Sequence, residues 1–170
     1  MSLYRSQLRD KVAGLLQQTT DARDSVFTVA AYPLPSEKLP AIFVTVPSEQ
    51  AESNSRGTPD YTRTALLEVT AKVCGGNPAM VQGVLDRIAE QIEMSVMCSA
   101  DIMSMVQQVS SIDTEQQMTA DSAEYLGAVR LTFAMEYTQE YPVSGVPFTQ
   151  ITGDLTGTIA AGFVADLPQE

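Results

Sequence analysis

Residues Tyr61–Met97 read YTRTALLEVTAKV, then CGG, then NPAMVQGVLDRIAEQIEMSVM, and a change of period inside this stretch decides the fold. Ala65, Leu67, Val69, Ala71 and Val73 alternate with Thr64, Leu66, Glu68, Thr70 and Lys72, the period-two pattern of a strand with one buried face. After the glycines, Val81, Val84, Leu85, Ile88, Ile92 and Val96 recur at three- and four-residue steps, which gives a helix one apolar stripe. Gly75-Gly76 marks the corner, Asn77 supplies an N-cap and Pro78 fits the first helical position. The helix is therefore expected to fold back and cover the apolar face of the strand that precedes it.

Working outward towards the N-terminus, Leu8, Val12, Leu15 and Leu16 place a helix over Tyr4–Gln18 that ends in the polar Thr19-Thr20-Asp21. Ser25–Ala30 reads as a short strand, and Pro33, Pro35 and Pro40 bound a loop. Ala41–Val46, AIFVTV, is a stronger strand because β-branched and aromatic residues dominate it. The stretch from Pro47 to Pro59 has no large apolar residue, so it reads either as a flexible finger that orders against a partner or as a solvated hairpin tip.

Towards the C-terminus, Asp101–Met105 is expected to be a turn or a last piece of helix, and Val106–Met118 a largely polar strand. Thr119–Glu124 reads as a turn. Val129, Leu131, Phe133, Met135 and Tyr137 then alternate with Arg130, Thr132, Ala134, Glu136 and Thr138, giving a strand expected near the middle of the sheet. Met94, Met97, Met103 and Met105 cluster nearby, either as core filler or as an adaptable contact surface. Residues 1–141 thus form one α+β domain: a mixed, mostly antiparallel sheet of four to five strands with two main helices packed on one face. Residues 142–170 form an extension in which Phe148–Thr152 and Leu155–Ile159, joined at Gly153-Asp154, pair as a small hairpin. Such a hairpin is marginal alone, so it either pairs with another sheet edge or frays.

Composition bounds the function. The 170 residues carry a net charge of −11, and its distribution is uneven. Residues 1–87 hold nine bases and nine acids, whereas residues 88–170 hold twelve acids against Arg130 alone. That balance argues against nucleic acid, whose phosphates need a basic face. It suits either a solvated acidic face or docking on a basic partner or a neighbouring copy's balanced half. No apolar run approaches a membrane span, and the opening MSLYRSQLRD has no signal-like h-region, so an intracellular product is expected. Cys74 and Cys98 match no metal spacing and read as reduced, partly buried thiols.

Histidine is absent, which removes His-based triads, Cys-His dyads and the H-E-x-x-H zinc site. No dinucleotide-binding or P-loop glycine pattern occurs. Asp113, Glu115, Asp121 and Glu124 have the chemistry to gather around Mg²⁺ or Ca²⁺, but they lack EF-hand spacing and read first as solvated turn acids. No catalytic residue, cofactor or metal ligand is expected, and the chain is not expected to be an enzyme. A carboxylate-dependent enzyme or small-ligand domain stands as the reading from another class.

The order of elements now carries a resemblance. A first helix, a short strand, the proline-led strand LPAIFVTV, a polar insertion, the long strand TRTALLEVTAKV, the helix VLDRIAEQIE and the closing strand GAVRLTFAMEY resemble the bacteriophage tail terminator family. This is the minor tail protein U type, or tail completion protein, and the resemblance covers roughly residues 3–141. It implies a structural protein made in the host bacterial cytoplasm that closes into a hexameric ring on the finished tail tube. There it would stop polymerisation and offer the surface for head-tail joining, so the implied partners are other copies, the tail tube protein and the head-completion or connector protein. A neck or head-tail joining protein is the neighbouring alternative, and the tail beyond Pro142 departs from the pattern.

A closing ring needs complementary, non-identical patches on each protomer. The finger from Gln50 to Thr58 and the polar faces of the two long strands are the expected meeting surfaces. Their residues are Gln50, Glu52, Asn54, Arg56, Arg63, Glu68, Lys72 and Arg130. Arg56, Arg63 and Lys72 are the expected partners for acids of an adjacent copy.

Overall fold

The computed structural model describes residues 3–29, 35, 38–57, 59–121, 124–142, 150–155 and 161–166, with the backbone alone at 121, 150–155 and 161–166. Ala30, Pro33, Thr58, Ser122, Ala123 and the outer parts of the expected C-terminal hairpin (148, 149 and 156–159) lie outside the described residues. The elements are α1 (Tyr4–Thr19), β1 (Val26–Phe27), β2 (Ala41–Ser53), β3 (Asp60–Gly75), α2 (Pro78–Met97), α3 (Ala100–Met103), β4 (Gln108–Asp121), β5 (Glu124–Glu140), β6 (Gln150–Leu155) and β7 (Ala161–Asp166).

Strands one to five form a sheet in the order β1-β2-β3-β5-β4, with β1 parallel to β2 and every other pairing antiparallel. It is the mixed, mostly antiparallel α+β sheet that the periods predict, with the helices packed against it. Ala65, Leu67, Val69, Ala71 and Val73 of β3 are all buried, as are Val129, Leu131, Phe133 and Met135 of β5. Over them lies α2 with Val81, Leu85, Ile88, Ile92 and Val96 buried, and beside it α1 with Leu8, Val12 and Leu16. Each such side chain contributes about 1.5–3 kcal/mol on burial, so the stripe of α2 is worth far more than the helix's intrinsic propensity.

Local chemistry sets the corners. The side chain of Asn77 accepts a hydrogen bond from the Ala79 N–H at 2.9 Å, the N-cap expected before Pro78. At the other corner, a Cβ added to Gly127 would lie 2.6 Å from Leu85 Cδ1 and 2.7 Å from Val81 Cγ1. A side chain there would have to displace Leu85 and Val81, so the glycine lets β5 pass close beneath α2 without disturbing their packing.

Several expectations are corrected. The short strand is only Val26–Phe27. Of the two readings of the polar stretch after Pro47, the hairpin is the one found: β2 continues to Ser53 and pairs with β3 down to Ser53↔Tyr61. Ladder hydrogen bonds need no apolar side chains, so polarity did not end the strand. For the same reason β4 runs on to Asp121 and β5 begins at Glu124, which turns most of the expected Thr119–Glu124 turn into paired strand. Cys74 is half-buried but Cys98 is exposed, and the two form no disulfide.

Two compact units are resolved, Met1–Glu140 and Tyr141–Glu170. In the second, β6 pairs antiparallel with β7 from Gln150↔Asp166 to Leu155↔Ala161. Gly153-Asp154 therefore lies within a strand, with Gly153 opposite Phe163, and is not the turn. A glycine facing an aromatic residue across a ladder looks the same in sequence as a glycine in a turn.

Candidate interaction surface

The helices leave one face of the sheet open. Thr45 of β2, Glu68, Thr70 and Lys72 of β3, Ala128 and Arg130 of β5, and Glu115 and Gln117 of β4 line a shallow depression there of about 290 Å³, with Phe43 at its side. Its charges neutralise one another. Arg130 Nη2 donates to Glu115 Oε2 at 2.7 Å, and Nη1 stands 3.6 Å from Glu68 Oε1, so one guanidinium bridges two strands. Lys72 Nζ sits 5.0 Å from the centroid of the Phe43 ring, within cation–π range.

A β-bulge builds a second cluster. The β2–β3 register shifts between Thr45 and Ser48, so that Val44 pairs with Val69 but Glu49 pairs with Ala65. The extra residue re-aims the strand, and Glu49 joins the helix-covered face. There Arg63 Nη1 donates to Glu49 Oε2 at 2.5 Å, Tyr137 Oη donates to Glu49 Oε1, and Arg5 Nη1 of α1 stands 3.6 Å from Glu49 Oε2. The Glu49 side chain is 7% exposed and that of Arg63 20%. Tyr4 packs against Tyr137 with ring centroids 4.5 Å apart and donates from its hydroxyl to the Met105 carbonyl at 2.5 Å. Burial, reinforced by the hydrogen bond to Glu49, holds the Tyr137 phenol far above its ordinary pKa, and burial raises that of Tyr4. The cluster clamps the N-terminus of α1 onto the sheet.

The eight residues expected at an interface fall into three places. Gln50 and Glu52 pair opposite Thr64 and Thr62, on the same open face as Glu68, Lys72 and Arg130. Gln50 Nε2 donates to Glu52 Oε1 at 3.3 Å. Asn54 and Arg56 sit exposed at the hairpin tip, where Asn54 Oδ1 accepts from Thr62 Oγ1 at 2.9 Å. Arg63 lies on the covered face, where its charge meets Glu49 of its own chain. Sequence reasoning missed Glu49, Tyr137, Tyr4 and Arg5 as a unit, because neither spacing nor composition marks a bulge that turns one carboxylate inward.

The four acids considered for a cation are spread out. Asp113 and Glu115 share the open face of β4, Glu115 is engaged by Arg130, and Asp121 and Glu124 pair at the far end of the ladder. Among the described residues, no group of three or more Asp, Glu, Cys or His side chains gathers as a metal site. No helix among them is long and apolar enough to cross a membrane.

No protein-family model matches the chain, and no curated protein matches it. Among solved structures, a chain described as "Virion of native gene transfer agent (GTA) particle" matches with 10% identity and a TM-score of 0.35, over 78% of this chain and 91% of that one.

Proposed function

We propose that this chain is a structural protein of a phage or prophage that closes as a ring, six-fold by the resemblance, on the end of a finished tail tube. In this reading it stops tube polymerisation, offers the surface for head-tail joining, and has no catalytic role. The observation that carries it is the order of elements. Helix α1, short strand β1, β2, the long β3, the covering helix α2 and, after α3 and β4, the closing strand β5 keep the order on which the resemblance to the tail terminator family rests. The surfaces support it as well. The described part offers an uncovered sheet face whose depression holds neutralised charges, and a long ribbon bearing Gln50, Glu52, Asn54 and Arg56. A protein that works by contact needs such surfaces, and a ring needs unlike ones on each copy.

The test is growth of tubes from the purified cognate tail-tube subunit, with this chain added during elongation. Arrest at one ring per tube end, seen by electron microscopy, is the expected result. Tubes that lengthen unchanged would overturn the reading, and binding to the connector without arrest would favour the neck protein instead.

A further inference from the structure

The two edges of the main sheet are built differently. At one edge β1 is two residues long, and β2 beyond it carries a bulge and Pro47, devices that discourage strand pairing. At the other edge β4 runs for 14 residues, Gln108–Asp121, with a bulge near its start between Val109 and Ser111 but no Lys, Arg or Pro, so its pairing is regular from Ser111 to Asp121. Its outer row of backbone donors and acceptors meets no strand among the described residues. Its helix side is also unfinished. Val109 and Ile112 are only half-buried, Met118 and Met94 of α2 are exposed, and a groove of about 310 Å³ lies between α2 and β4, with Ala89, Met94 and Thr114 beside the carboxylates Asp86, Glu90 and Glu93.

The β6–β7 hairpin has the complementary deficiency. Its two strands pair only with each other among the described residues. The register puts Ile151, Leu155, Ala161, Phe163 and Ala165 on one face, and Gln150, Thr152, Asp154 and Asp166 on the other with Val164. A two-stranded ribbon with one apolar face is marginal in water until another strand and a cover complete it. The β4 edge offers both. Added there, the apolar face of the hairpin would continue the row of Val109, Ile112 and Met118, in which Thr114 and Gln116 are interspersed, and its polar face would continue Ser111, Asp113 and Glu115.

We propose that the β4 edge of one copy receives the C-terminal hairpin of a second copy, extending the sheet by strand addition. Main-chain hydrogen bonds would supply the affinity and the apolar face of the hairpin the register. The nine residues 141–149 reach about 30 Å when extended, enough to leave the parent sheet for a neighbour. Donor and acceptor are different surfaces on every copy, so the contact is heterologous and propagates head to tail until it closes. The inference rests on the ring reading above and names the contact that joins its copies.

The test uses the full chain and two variants. Thr114→Lys puts a charge on the acceptor edge at an exposed position, and Phe163→Asp spoils the apolar face of the donor. Native mass measurement should show assembly for the wild type and monomers for each variant. An equimolar mixture should give a 1:1 heterodimer, since one variant keeps its edge and the other its hairpin. Amide exchange in β4 should be about tenfold slower in the assembled wild type than in either variant. Circular dichroism checks that both variants fold; if Thr114→Lys does not, Phe163→Asp and the β4 exchange measurement decide alone. Assembly by either folded variant, a mixture that stays monomeric, or a wild type that is monomeric at every concentration would overturn the proposal. So would β4 protection independent of concentration, which would mean that the hairpin pairs within its own chain. Tube arrest by both variants would remove this contact and leave capping standing, whereas intact pairing without arrest would do the reverse.

Discussion

On β3, Leu67 and Val69 are sealed beneath the helices, while Glu68 and Thr70, interleaved with them on the same strand, line the open depression. One backbone thus serves two environments 180° apart, and the difference shows where stability and contact reside. The covered face is held by close-packed apolar side chains, in which every lost methylene is felt. The open face is held by Arg130 bridging Glu68 and Glu115 in partial contact with water, where screening leaves an ion pair little net worth. Folding should therefore depend on the first face and tolerate change on the second.

Leu85→Ala attacks the contrast most directly. It opens a cavity under α2 over Gly127, and urea denaturation should show a loss of about 2–5 kcal/mol. Next comes the polar end of the covered face. Glu49→Gln removes the buried carboxylate that receives Arg63 and Tyr137, and a loss of about 1.5–3 kcal/mol is expected from charge-assisted hydrogen bonds. A loss no greater than that of an exposed substitution would mean that the cluster is not structural.

The phenol of Tyr137 sharpens the same point through pH. Its folded pKa is raised above the ordinary value of 10.0, so above that pH the folded state holds the proton that the unfolded state releases. Stability is then unaffected below pH 10 and falls as pH rises beyond it. Denaturant titrations of the wild type should show this alkaline loss, and Tyr137→Phe should flatten it. The smallest effect belongs to the open face: Arg130→Ala should change stability by at most about 1 kcal/mol. If that substitution matched Leu85→Ala, the proposed division between the faces would fail.

The covered face was legible because burial imposes a period. Residues that must avoid water recur at two in a strand and near 3.6 in a helix, so β3, α2 and β5 could be read with their buried sides. Asn77, with Pro78 after it, was legible because capping is local. The polar half of β2 and the last residues of β4, Thr119–Asp121, were not, since ladder hydrogen bonds join residues far apart and leave no mark on composition. Five of the eight residues expected at an interface share the open face. Arg63 does not, because its parity follows Ala65 and Leu67.

The sequence by itself determined the buried apolar stripes of β3, α2 and β5, the order of the main helices and strands up to Glu140, and the absence of histidine chemistry, because each follows from side-chain type and short-range spacing. Only the tertiary structure decided that a bulge after Thr45 turns Glu49 inward to meet Arg5, Arg63 and Tyr137. It alone decided that Glu68, Arg130 and Glu115 stand on three adjacent strands. A one-residue shift in register exchanges the two faces of a strand, and that shift is fixed by the partner strand.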